Sequence, residues 1–196
     1  MHIVSVNVAR AGDLFVEQSG YRHRIVTAIH KQPVAGAVAV GRLGLEGDEQ
    51  ADLSVHGGLD KAVYAYPVEH NPFWIAQRAA VFKAEQPLPP GSMGENLTIA
   101  GLLEADVWVG DRLRAGDALL QVTEPRTPCF KFNAKMGFAH AAKAMTQSGF
   151  TGFYLRVIEP GAVCAGDPVA LLPGPRGMAV AAINERRRKG RQQDLF

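Results

Sequence analysis

Short apolar segments of β character, each closed off by glycine, proline or aspartate, constrain this chain more than any other feature. Segments 3–8, 24–30, 37–40, 62–66, 96–99, 106–109, 118–123, 153–158 and 169–172 all fit that description. Stretches of helical period are few. That balance predicts a mainly β protein, a closed or nearly closed β-barrel with a few peripheral α-helices, in preference to a doubly wound parallel sheet. Two phrases echo each other, VWVGDRL (107–113) and VCAGDPV (163–169), each setting Gly-Asp between apolar residues. Both read as strand, tight turn, strand, with glycine supplying a positive φ.

Helices should interrupt the strands in two or three places. Asn71 can cap a helix with Pro72 at its first position, and Ile75, Ala79 and Phe82 then share a face that should pack on the barrel. From Phe138, the series Phe138, Ala141 or Ala142, and Met145 is again helical, and 178–188 suggests a third, weaker and basic helix. Between the first helix and the next strand, QPLPPG (86–91) is a stiff connector, too short and proline-rich for a domain linker.

With 196 residues, 47% of them hydrophobic, the chain can bury one good core, so one main domain is expected over 1–175, followed by a short basic helix or tail over 176–196. No apolar run approaches the roughly 18 residues of a spanning helix. The start, MHIVSVNVAR, lacks the basic and long apolar regions of a signal peptide. A soluble cytoplasmic protein with no membrane partner is the expectation. The net charge of +2 is unevenly placed, since Arg186, Arg187, Arg188, Lys189 and Arg191 face only Glu185 and Asp194 in the last stretch. A nucleic-acid-binding domain carries its positive charge on the folded body, so nucleic acid is disfavoured and the basic run reads as a solvated end.

Two cysteines remain to be judged singly, because neither belongs to a Cys-dense framework and both should be free thiols in a reducing compartment. Cys129, in TEPRTPCFKF (123–132), has Arg126 and Lys131 close by and Pro128 just before it, which suits a turn or short helix after a strand. Such neighbours favour a thiolate nucleophile or soft-metal ligand. A buried apolar thiol is the alternative. Cys164 has no basic neighbour and reads as a packed strand residue. A second constellation is SVHGGLDKAVYAY (54–66), where Gly57 and Gly58 allow close backbone approach to an anion and His56 and Lys61 could complement a phosphate. An ordinary strand-joining turn fits as well. GLEGD (44–48) is a further glycine-spaced turn whose carboxylates cap turns. No zinc-type ligand spacing is present, and His56, His70 or His140 makes no local hydrolase signature with Cys129.

Taken in order, LGLEGDEQ, VHGGLDKAVYAYPVEH, MGENLTI, VWVGDRL and PRTPCFKF make the chain resemble the MOSC domain family over about residues 1–175. In particular it is similar to the stand-alone bacterial MOSC proteins associated with resistance to 6-N-hydroxylaminopurine. The resemblance implies a barrel binding the molybdenum cofactor (molybdopterin), with Cys129 as metal ligand and catalytic centre. It also implies Asn96, Arg126 and Thr127 along the cofactor, and His56, Gly57, Gly58 and Lys61 near its phosphate or the pocket rim. The implied activity is reduction of small N-hydroxylated compounds, namely base analogues, hydroxylamines or amidoximes. Electrons would come from an external reductase, since the sequence holds no cysteine set for an iron–sulfur cluster. A sulfur carrier using a Cys129 persulfide and a non-catalytic cofactor-binding module are the alternatives. A homodimer stays open. The family's association with pyridoxal phosphate belongs to it at the domain level only. Relatives of this kind continue into a longer helical extension after the barrel, where only one basic helix is expected in this chain.

Overall fold

The computed structural model describes residues 1–18, 21–51 and 57–193. Its first strands are β1 (His2–Val8), β2 (Gly12–Gln18), β3 (Tyr21–Thr27), β4 (Gln32–Pro33), β5 (Val38–Gly41), β6 (Gly44–Leu45) and β7 (Val63–Pro67). Helix α1 (Asn71–Phe82) leads to β8 (Leu97–Ala100), β9 (Arg112–Ala115) and β10 (Ala118–Pro125). Helices α2 (Phe130–Met136) and α3 (Ala141–Ser148) come next, then β11 (Phe153–Glu159), β12 (Gly161–Val163), β13 (Val169–Leu172) and α4 (Val180–Gln193).

Eight strands form one sheet in the order β13, β9, β10, β11, β7, β8, β1, β4, with β7 and β8 its parallel neighbours. The ends return toward each other without a full ladder. His2 and Pro168 form an isolated bridge, the Ile3 amide donates to the Asp167 carbonyl at 2.9 Å, and the Gly166 amide donates to the Ile3 carbonyl at 2.8 Å. The expected barrel is thus a nearly closed sheet. Closure stops at one bridge because the segment reaching β1 is a tight turn at Gly166, folded back on itself with no run of extended residues to pair.

Both Gly-Asp phrases are turns of one design. Gly110 and Gly166 take φ of 92° and 95°, and the amides of Asp111 and Asp167 donate to the carbonyls three residues earlier, at 3.0 and 3.2 Å. Each aspartate then accepts a bond from the amide of that same residue, Trp108 at 3.0 Å and Cys164 at 2.7 Å. The first phrase departs from expectation on one side: 106–109 is no ladder strand, and Trp108 makes only a bridge to Ala179. The reason is a change of partner, with Val109 and Val180 bonded across to Met178 and Val107. Cys164 is likewise outside a strand, half-buried in its turn.

Alternation within the strands divides the apolar residues between two cores. Val63 and Ala65 of β7 and Phe153, Leu155 and Val157 of β11 point into the sheet's interior, where they pack with Ile3, Val6, Leu113 and Leu120. Tyr64 and Tyr66 point the other way, into a second cluster with Trp74, Met93, Phe132, Met136 and Met145. In α1 it is Trp74 that is fully buried, its indole donating to the Tyr66 hydroxyl at 2.6 Å, while Phe82 of the expected face is exposed. The Trp74 indole reaches the Tyr66 hydroxyl, so its ring is buried with its N–H satisfied, while Ile75 of the expected face packs only partly buried against the same cluster. The expected short helix after Pro128 is α2, and the expected 138–147 helix is α3 with Ala141 and Met145 buried.

The basic C-terminal stretch is a docked helix for most of its length. Val180 is sealed, Asn184 donates to the Gly149 carbonyl (3.0 Å) and the Thr151 hydroxyl (2.8 Å), and Arg187 donates to the Pro125 carbonyl at 2.9 Å. Arg186, Arg188 and Lys189 remain exposed, as a solvated face would be. Among the described residues no helix is long and apolar enough to cross a membrane.

Candidate functional site

Because the sheet's interior is filled by side chains, the pocket cannot lie inside it, and it does not. It opens on the opposite face, bounded by Tyr64 and Tyr154 from the sheet, residues 27–31 after β3, residues 48–51, and the start of α2. Its empty space is about 690 Å³ when the open mouth and the solvent in it are counted. Of the residues singled out by sequence, Asn96, Arg126, Gly57, Lys61 and Cys129 all line it. Gly58 stands behind, its amide donating to the Gln50 side chain at 3.1 Å. Thr127 is exposed and belongs to a neighbouring cavity with Arg187 and Thr151. The turn at Pro128 explains this, since successive residues in extended chain face opposite sides. His56 lies outside the described residues. His70 and His140 are elsewhere, His70 buried against Glu104 at 2.7 Å and His140 exposed ahead of α3.

Cys129 owes its position to the exit of β10. The register of β10 against β11 shifts between Val122 and Glu124, a bulge that turns the strand's end. Pro125 and Pro128 then stiffen the four residues leading to the thiol. Cys129 caps α2 with an extended backbone (φ −117°, ψ 175°), and its carbonyl accepts the Phe132 amide at 2.9 Å. The sulfur is half-buried and unbridged. Arg187 of α4 ties this exit down from outside, bonding Pro125 and standing 3.6 Å from Glu124, which also pairs with Lys61 of the pocket at 3.5 Å.

The polar wall is built from three buried groups. Asp48 forms an ion pair with Lys31 and accepts from the Ala9 amide and the Asn96 side chain, both at 2.8 Å. Asn96 in turn accepts the Tyr64 amide at 3.1 Å, which pins the start of β8 to β7. Burial lowers the Lys31 pKa, with Asp48 opposing that pull. Gly94 allows this wall to close: at φ 79° a Cβ there would stand 2.9 Å from Ile29 Cγ1. Behind it, the fully buried Glu95 carboxylate accepts the Gly91 and Met93 amides and the Thr98 hydroxyl at 2.7 to 2.9 Å. Burial still raises its pKa above the usual carboxylate value.

Arg126 is the unusual group. It is 7% exposed, its Nη1 donates to the Met93 carbonyl and to the Tyr64 hydroxyl (3.3 Å), and its guanidinium sits 4.8 Å and 5.0 Å from the Tyr64 and Phe132 ring centres. Among the described residues it has no carboxylate partner. Burial opposes its charge, yet Tyr64, Tyr154 and Cys129 outweigh burial and raise its pKa. A buried guanidinium without a counter-ion is a ready anion receptor. Lys131 lines the pocket too, beside Lys31 and Lys61 with their carboxylate partners, so the pocket suits an anionic ligand with a soft-metal end at Cys129.

Sequence reasoning missed Lys31, Tyr64 and Tyr154, and took Asp48 for a turn cap. Only Asp48 left a trace, in the glycine-spaced GLEGD. The tyrosines look like ordinary strand residues until their pairing across β7 and β11 is known.

Comparison with known proteins now places the fold. The MOSC domain model matches residues 52–170, and the chain belongs to the MOSC domain family. It is 42% identical over 183 residues to YflK of Bacillus subtilis, covering 93% of this chain and 78% of YflK. It is 43% identical over 149 residues to YiiM of Escherichia coli, covering 74% of this chain and 64% of YiiM. A Gibberella moniliformis protein named as a reductase is 38% identical over 157 residues, 77% of this chain but 26% of its own length. The solved structure of YiiM from Geobacillus stearothermophilus superposes with a TM-score of 0.75 at 36% identity, covering 97% of this chain and 85% of that one. MOSC domains are associated with the molybdenum cofactor, and the residues of this pocket fit such a group: a thiol for the metal and a buried, carboxylate-free guanidinium for an anionic pterin.

Proposed function

We propose that the protein is a molybdenum-cofactor oxidoreductase that reduces N-hydroxylated compounds (base analogues, hydroxylamines or amidoximes) with electrons from an external reductase. The observation that carries this reading is the sharing of one pocket by the half-buried Cys129 and the buried Arg126, which has no carboxylate partner among the described residues. When bound, the cofactor would supply the two-electron chemistry. Cys129 would hold the metal, Arg126 would bind anionic oxygens of the pterin, and Asn96 with the Lys31–Asp48 pair would keep the wall in register. Gly57 and Lys61 belong to the rim on this reading, with Lys61 held toward the pocket by Glu124. The reductase-named fungal relative supports the reaction class.

The test is elemental analysis of full-length protein made in a cofactor-competent host, followed by turnover of a hydroxylamine with a low-potential artificial donor. Molybdenum near one per chain together with reduction is the expected result. Metal-free protein carrying cyanide-releasable sulfur would replace this reading with a Cys129 persulfide carrier. Bound molybdenum without turnover of any N-hydroxylated substrate would reduce the protein to a cofactor-binding module.

A further inference from the structure

Reductive cleavage of an N–O bond needs a proton for the departing oxygen, and most proton-bearing groups of this pocket are already engaged. Lys31 is tied to Asp48, and the Tyr64 hydroxyl donates to the Thr151 carbonyl at 2.7 Å. Lys61 is paired with Glu124, and Arg126 holds its proton too tightly to release it. Asp48 and Glu49 are acceptors of backbone amides at 2.8 and 2.7 Å. Cys129 is the thiol assigned to the metal. Among the titratable groups of the described lining two remain, the Lys131 ammonium and the Tyr154 phenol.

Tyr154 is the better placed of the two. It sits opposite Tyr64 in the β11–β7 register, with ring centres 5.3 Å apart at 44°, and Lys61 Nζ lies 5.7 Å from its ring centre on a rim position. Those contacts hold the ring while leaving its hydroxyl without a hydrogen-bond partner among the described residues. The one sealed and unbonded side-chain atom among the described residues is Arg78 Nε, so the Tyr154 hydroxyl is open, and the space it borders is the pocket. Lys131, by contrast, carries its ammonium on a flexible four-carbon stem, with no hydrogen bond or ion pair among the described residues to fix it.

We propose that the Tyr154 hydroxyl binds the N–O oxygen of an N-hydroxylated substrate and donates the proton with which that oxygen leaves as water. The inference rests on the reductase reading and names the proton donor of that same site. The balance is two electrons from the external reductase and two protons: the N–O bond breaks, Tyr154 protonates the oxygen, solvent protonates the nitrogen, and solvent restores the phenol. Burial raises the Tyr154 pKa, with Arg126 opposing, so the group is a protonated donor at neutral pH and a cation is at hand for the transient phenolate.

The experiment uses full-length, cofactor-loaded protein and two probes, benzamidoxime and benzamidine, which differ by the N-hydroxyl. Without an electron donor, Tyr154→Phe should weaken benzamidoxime binding about 3- to 10-fold and leave benzamidine unchanged, the effect of one lost hydrogen bond. With a donor, turnover should fall on the order of 100-fold with molybdenum content unaltered. Equal affinities of wild type and Tyr154→Phe for benzamidoxime would overturn the proposal, as would loss of turnover on Lys131→Met but not on Tyr154→Phe. The two readings fail separately. Wild-type protein that binds benzamidoxime through Tyr154 yet never reduces it removes the reductase reading, whereas reduction undiminished by Tyr154→Phe removes Tyr154 alone.

Discussion

Val63 and Tyr64 are consecutive in β7, yet one faces a cluster of apolar side chains and the other a wall containing Asn96 and Arg126. The interior is insensitive to which chemistry the protein performs. It needs only volume and alternation, and Phe153, Leu155 and Val63 supply both. The outer face of the same strands accepts buried charge, with Lys31, Glu95 and Arg126 all largely withdrawn from solvent. Burying charge costs free energy unless each group finds a partner. A closed apolar core on one side therefore provides the rigidity that lets the other side hold an incompletely paired cation at a ligand site.

Substitutions on the two faces should separate these roles. The largest stability loss should come from Lys31→Met, which strands a buried Asp48 carboxylate at a cost of about 3–5 kcal/mol, and Asp48→Asn in the same chain should recover most of it. Urea denaturation of the single and double variants measures the coupling. Next is Leu155→Ala in the interior, with about 2–5 kcal/mol lost and no rescue from any polar partner. Arg187→Ala should cost only about 1 kcal/mol, since that side chain is partly exposed. It should still speed alkylation of Cys129 by iodoacetamide, because the exit of β10 loses its outside tie. An unchanged alkylation rate would mean that Pro125 and Pro128 hold the thiol without help.

The smallest effect is a pH slope. Burial raises the Glu95 pKa in the folded state, so the native protein retains that proton in a window just above about 4.5 where the unfolded chain has released it. Stability from this group is then complete below the ordinary glutamate value and is lost as pH rises through the raised one. Wild type should accordingly lose stability relative to Glu95→Gln as pH climbs through that window. Parallel curves for the two proteins would show that the hydrogen bonds from Gly91, Met93 and Thr98 cancel the burial.

The comparison also explains what was legible in the sequence. Alternating apolar residues and Gly-Asp turns are local signals, and they located most strands and both tight turns; after Pro128 the sequence allowed a turn or a short helix, and the structure has a helix. Motif order brought Asn96, Arg126 and Cys129 to one site, and they do share a pocket. The pocket's side of the sheet was not legible, because alternation marks two faces without saying which encloses a core. Trp74 displaced the expected α1 face, since its burial depends on Tyr66 across space. Thr127 lines a neighbouring cavity instead, because the direction of a side chain beside Pro128 depends on the turn that follows. Tyr154 carries no sequence mark at all; the role proposed for it follows from its register against Tyr64 and from a hydroxyl without a hydrogen-bond partner among the described residues.

X-ray absorption at the molybdenum edge tests the central claim most directly, comparing cofactor-loaded wild type with Cys129→Ser. The account predicts one fewer molybdenum–sulfur contact in the variant, with the fold intact by circular dichroism and turnover abolished. Identical sulfur coordination in the two proteins would contradict it and return Cys129 to the status of a half-buried thiol beside an anion pocket.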